Sequence, residues 1–218
     1  MEFPTYFTSV GLILLALLAG VLSPGPSFVM AARMAVAKSR EDGLVLSLGL
    51  AIGAASIAAL CLAGLHAVLI AVPTLYMALK LAGGLYLGYI AFHIWKGASL
   101  PLNVGKMDSA SSAPVKRNLV SSFRLGLITS VSNPKTAIVY GSVFAALLPT
   151  HFPLMGSLLV TFGALFMEFA WYAIVVLVLS SPAPRAAYMR GKTAIDRIAA
   201  GVMGLLAARL ISTAHHAH

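Results

Sequence analysis

The chain has 218 residues, of which 60% are hydrophobic and only 10% charged, with a formal net charge of +9. An ordinary soluble domain carries roughly 25% charged residues, so a soluble fold is excluded and the chain reads as an all-α integral membrane protein. The charge does not mark a nucleic-acid partner, because the basic residues sit in short connections between apolar runs and no nucleic-acid module accompanies them.

The first apolar run starts near residue 6 and continues to residue 22. Glu2 is its only early charge, so it lacks the positive leader of a signal peptide and reads as an uncleaved helix. Ser23-Pro24-Gly25-Pro26 interrupts it, and apolar sequence resumes over residues 28–37. Proline removes a backbone donor and clashes with the preceding turn. Apart from Arg33 the resumed stretch has no polar cluster, which favours one broken span over a plain turn.

The second span, residues 43–72, has no formal charge and exceeds the ~20 residues a crossing needs. Gly49 and Gly53 give it a small-residue face for packing in a bundle, and permit a homodimer. His66 reads as a hydrogen-bonded packing residue rather than a proton carrier. Pro73 and Thr74 then make a tight connection. The third span covers residues 75–95, with Lys80 near its start, Gly83, Gly84 and Gly88 for close approach, and Tyr76 and Trp95 as interfacial anchors. Residues 97–118, with Lys106, Asp108, Lys116 and Arg117 among Ser, Ala and Pro, read as a flexible cytoplasmic linker.

The fourth span runs from residue 125 to 148 and is broken by Ser132-Asn133-Pro134-Lys135. A lysine near the bilayer centre costs about 2.5–3.5 kcal/mol. Such a segment persists only where protein or a wet cavity satisfies the loosened backbone. A turn through His151 and Pro153 leads to the fifth span, residues 154–179, which holds Glu168, the only carboxylate deep in an apolar run. Residues 181–197 read as a basic connection. The sixth span, residues 198–211, is short, and its first turn is expected to reach back toward Ile195. The tail carries His215, His216 and His218.

Counting charge sets the topology. Arg33, Lys38 and Arg40 follow span one; Lys96, Lys106, Lys116, Arg117 and Arg124 follow span three; Arg185, Arg190, Lys192 and Arg197 follow span five. Six spans with both termini periplasmic satisfy the positive-inside rule, with Arg209 as the exception and Lys80 set aside. Three spans per half is odd, so the second half enters the membrane inverted: one membrane domain over residues 1–218, with repeats at 1–96 and 119–218 around the linker. The two interrupted spans, one and four, lie roughly half the chain apart, and paired Gly/Pro breaks at matching positions point to a transporter's binding site.

These motifs resemble the lysine exporter (LysE/RhtB) family of bacterial amino-acid exporters. The resemblance covers nearly the whole chain: L-S-P-G-P at 22–26, G-L-A-I-G at 49–53, L-K-L-A-G-G-L-Y-L at 79–87, F-R-L-G-L-I-T-S-V-S-N-P-K at 123–135, the L-P at 148–149 and I-D-R-I-A-A-G-V at 195–202. Ala207-Ala208 stand where glycine is more usual. The family implies six helices in two inverted repeats and efflux of small amino acids or related metabolites across the bacterial inner membrane, driven by protons. Its motifs carry over onto Pro24, Gly25, Pro26, Asn133, Pro134 and Lys135 as substrate-binding or gating residues.

On this reading the helix ends at the breaks meet a zwitterion's carboxylate and ammonium. Asn133 bonds the substrate or caps the following half-helix. Lys135 receives the carboxylate or pairs with Glu168, and Glu168 is the natural proton carrier. A structural Lys135–Glu168 ion pair, or a lysine that snorkels outward, is the plainer alternative. An intramembrane enzyme has no motif in its favour: His-Glu-x-x-His, Gly-x-Ser-x-Gly and paired aspartates are all missing. A divalent-metal exporter rests on the terminal histidines alone, since His66, His93 and Glu168 are too few intramembrane ligands. No cofactor is expected. The lone Cys61 excludes an intramolecular disulfide and a dithiol relay.

Overall fold

The computed structural model describes residues 3–23, 25–71, 73–99, 118–149 and 152–214. Pro24, linker residues 100–117, His151 and the terminal histidines lie outside the described residues, as do the side chains of His66, Tyr76, Lys80 and Arg185. Eight helices follow in order, and no strand occurs among the described residues. They are α1 (Phe3–Leu22), α2 (Pro26–Ala37), α3 (Arg40–Ala71), α4 (Pro73–Gly97), α5 (Leu119–Val131), α6 (Pro134–Leu147), α7 (Leu154–Leu179) and α8 (Pro182–Ala214). Among the described residues, α3 over Arg40–Gly64 and α7 are each long and apolar enough to cross a membrane. α1 and α2 reach that length only together, bent by 59° at the first break, and α5 is a shorter apolar helix. Leu60, Phe162, Phe166 and Leu205 face outward. Large side chains with no polar surround suit a body solvated by lipid tails.

Local chemistry explains the boundaries. Ser39 precedes α3, and the Asp42 N–H donates to its Oγ at 3.1 Å while Ser39 Oγ donates to Asp42 Oδ2 at 2.7 Å. This is a capping arrangement with a carboxylate at the positive helix end. Ser122 Oγ donates to Asp42 Oδ1 at 2.8 Å, tying α5 to the same cap. Asp42 is only 3% exposed.

The stretch expected as a basic connection over residues 181–197 is helical instead. Pro182 opens α8, where a missing N–H is harmless. Lys192 and Asp196 pair one turn apart at 2.6 Å. Lys192 Nζ also donates to the Ala98 carbonyl at 3.2 Å, and Thr193 Oγ1 to the same carbonyl at 3.1 Å, so α8 caps the end of α4. Polar residues taken for a loop are the first turns of a helix docked on its neighbour.

The small-residue faces are used within the chain. A Cβ on Gly49 would meet the Phe123 carbonyl and the Leu127 N–H, and one on Gly126 the Leu46 carbonyl and the Leu50 N–H. α3 and α5 therefore touch backbone to backbone, which only glycine allows. Gly84 of α4 packs on Leu210 and Ile211 of α8. The core lies where α1, α3, α4, α6 and α8 meet, around Ile13, Leu17, Leu87, Tyr140, Phe144 and Met203. A second cluster joins α2, α3 and α7 through Phe28, Leu46, Leu50 and Val176.

Gly126→Val forces α3 and α5 apart and is expected to destabilise the protein by about 1–3 kcal/mol. Thermal unfolding in detergent should show a lowered midpoint. Gly141→Ala, whose added methyl meets no described atom within 4 Å, should not lower it and is expected to raise it slightly, because alanine is the better helix former.

Candidate functional site

The two breaks meet. α1 stops at Leu22, which leaves its last carbonyls without helical partners. Lys135, in the first turn of α6, donates from Nζ to the Ser23 carbonyl at 2.8 Å and also to Ser23 Oγ. Ser23 Oγ in turn donates to the Gly20 carbonyl at 3.0 Å. A cation belongs at a helix C-terminus and is poorly placed at an N-terminus. Lys135 therefore reaches away from its own helix to the end of the other.

Asn133 makes the return connection. Its side chain caps α6 by accepting from the Lys135 N–H at 3.1 Å. Its Nδ2 donates to Ser27 Oγ, also at 3.1 Å, in the first turn of α2. Pro134 and Pro26 open their helices at the position that tolerates proline. Gly25, the N-cap of α2, has no side chain to offer. A Cβ there would lie 3.1 Å from Lys135 Cδ and 3.2 Å from its Nζ, so glycine leaves room for the lysine.

α7 brings Glu168 to the same place. It is 4% exposed, and its Oε1 accepts from the Tyr140 hydroxyl at 3.1 Å. The direct Lys135–Glu168 pair allowed by the sequence does not form, because each group is held by a neutral partner. Both still line one cavity with Ser23, Gly25, Ser27, Asn133 and Tyr172. Its free space of about 20 Å³ admits roughly one water molecule.

A larger cavity of about 510 Å³ lies between α3, α4 and α6, lined by groups such as Cys61, Gly83, Tyr86 and Gly141. Among the described residues none that lines it is charged. Among the described residues no group of three His, Cys, Asp or Glu side chains gathers to hold a metal ion.

The structure thus brings together Gly25, Asn133, Lys135 and Glu168, with Pro26 and Pro134 opening the two helices behind them. Sequence reasoning missed Ser27, Tyr140 and Tyr172. A signal existed for two of them. Tyr140 follows Asn133 by two helical turns, on one face with Thr136, and Tyr172 follows Glu168 by one turn.

The family model described as LysE type translocator matches residues 18–214. The chain is 30% identical over 194 residues to a threonine efflux protein of Salmonella typhi, covering 88% of this chain and 91% of that one. It is 27% identical over 205 residues to the uncharacterized membrane protein YahN of Escherichia coli (strain K12), covering 94% and 88%. A leucine efflux protein of Enterobacter sp. (strain 638) is 25% identical over 203 residues, covering 88% and 90%. No solved structure matches. With most of its length matched, the chain belongs to the LysE type translocator family and is a membrane transporter, not an enzyme.

Proposed function

We propose that this chain is a secondary transporter that exports a small amino acid, or a closely related metabolite, across the bacterial inner membrane in exchange for protons. One observation carries the reading. Both helix breaks and a buried carboxylate line a single small cavity, with a lysine on one helix and a glutamate on another. The relatives named as threonine and leucine efflux proteins support the substrate class.

The substrate carboxylate takes the place of Ser23 at Lys135. Its ammonium goes to Glu168, which Tyr140 orients. A proton arriving from the periplasm neutralises Glu168 and releases the ammonium. The protonated carboxyl returns and gives its proton to the cytoplasm, so one proton enters as one substrate leaves. Pro24, Gly25, Pro26, Asn133 and Pro134 shape the breaks at which the halves part.

The architecture behind this cycle is two inverted three-helix repeats, residues 1–96 and 119–218, joined by a cytoplasmic linker over 97–118, with both termini periplasmic. α3 packs on α7, and α4 on α8. Those helices hold equivalent places in the two halves, and such pairing is what a twofold axis through the middle produces. Closing the small-residue faces inside the chain leaves a homodimer without a role in forming the site.

Proteoliposomes loaded with candidate amino acids and given an inward proton gradient test the cycle. Glu168→Gln should abolish gradient-driven efflux while insertion and yield stay normal; undiminished efflux sinks the assignment. Lys135→Gln removes a charge-assisted bond of about 1.5–3 kcal/mol, so KM should rise about 10–100-fold. Gly25→Ala, which crowds the lysine without removing it, should raise KM less. Cells fed a dipeptide mixture, with released amino acids measured, identify the substrate.

A further inference from the structure

α4 and α8 pack antiparallel. Gly84 meets Leu210, Gly204 approaches Ala91, and Arg197 stands over the Trp95 ring at 5.7 Å. α4 also packs on α3 and α6, and α8 on α1, α6 and α7, while a further stripe of each helix stays exposed. Leu85, Tyr89 and Phe92 recur along α4 at helical spacing, and Ile198 and Leu205 do so along α8; all five are more than half exposed. At one end of this apolar face the character changes. Trp95 is 57% exposed, Lys96 follows it, and Arg197 and Arg190 lie two turns apart on one stripe of α8, all three exposed. Asp196 is the only carboxylate on either helix, and it is buried and paired with Lys192. Among the described residues of these two helices, the exposed charges at this end are therefore all basic.

We infer that this end is a binding site for an anionic phospholipid. The phosphate sits between Lys96, Arg190 and Arg197, and the acyl chains run along the apolar stripes toward Leu85 and Leu205. Trp95 occupies the headgroup level, where an amphipathic ring is most stable. Arg197 stays over the indole face and turns its free donors to the phosphate. Charge complementarity selects lipid over a second copy of the chain. A twofold dimer through this face sets the basic ends of both copies side by side, and like charges there oppose assembly. The inference needs only that the chain sits in a bilayer. It holds whatever the chain exports, so its failure and the failure of the export reading are separate events.

Fluorescence quenching by brominated lipids tests it. The chain has two tryptophans, and Trp171 Nε1 makes no hydrogen bond. Trp171→Phe therefore loses no partner and leaves Trp95 as the sole reporter. In vesicles holding either brominated phosphatidylglycerol or brominated phosphatidylcholine, the anionic lipid should be preferred at Trp95 by at least about fivefold, the effect of one basic side chain at a membrane surface. Raised salt should weaken the preference. Lys96→Gln, Arg190→Gln and Arg197→Gln together should reduce it to near unity, while Arg197→Lys keeps most of it. Continued quenching by both lipids in each variant shows that the protein is folded and inserted. Equal quenching of the parent by both lipids overturns the proposal, as does a preference that survives the triple substitution. Loss of all quenching at Trp95, with cross-linking between copies through this face, replaces the lipid by a second chain.

Discussion

The ammonium of Lys135 resting on the Ser23 carbonyl is the contact on which the site depends. In lipid, no water is at hand to satisfy the end of α1. A lysine near mid-membrane is equally costly alone. Each defect is the remedy for the other: a partial negative helix end and a cation that its own helix start disfavours. Asn133 repeats the exchange in the opposite direction, capping α6 with its oxygen while donating to Ser27 of α2. Neither break is complete without the other half of the chain. This is the physical reason for two interruptions at matching positions rather than one.

The two charges of the cavity are satisfied separately. Lys135 is held by Ser23, and Glu168 by Tyr140. A direct ion pair would neutralise both and leave a zwitterion nothing to exchange for. Neutral partners hold the charges without cancelling them, so in the proposed cycle an incoming carboxylate and ammonium replace weaker hydrogen bonds with stronger charged ones. On the proposed reading the same arrangement limits what the site accepts, because a ligand with one charge satisfies only one wall.

Much of this was legible in the sequence. Residues 154–179 bound a span from their composition, and the structure has α7 over Leu154–Leu179. Both breaks announced themselves through proline and glycine inside apolar runs. The meeting of the breaks was inferable only from their matching spacing, and the partner of Lys135 was not inferable at all. Ser23 lies far from it in sequence, and a serine carbonyl has no compositional signature, whereas Glu168 does; hence the sequence offers Glu168, and not Ser23, as one candidate partner for Lys135. The start of α8 was hidden for a related reason. Lys192, Thr193 and Asp196 look like loop residues until α4 supplies the carbonyls that Lys192 and Thr193 cap. Asp42 was equally hidden, since its burial depends on Ser122 from a different helix.

The cavity holds about one water, so the proposed transport requires it to widen, and the packing differs between the two places where that could occur. α3 and α5 meet at backbone distance through Gly49 and Gly126, and the Ser39–Asp42–Ser122 bonds fasten one end of that contact. Parting them exposes close-packed backbone that no substrate can cover. The seam between the two breaks is different. It is held by Lys135 on Ser23 and Asn133 on Ser27, single polar contacts that a small zwitterion can replace in kind. A ligand shifts an equilibrium only as far as it binds one state better than the other. In the proposed cycle, then, the substrate itself offsets the opening of the seam, and α3 with α5 moves as one rigid body beside it.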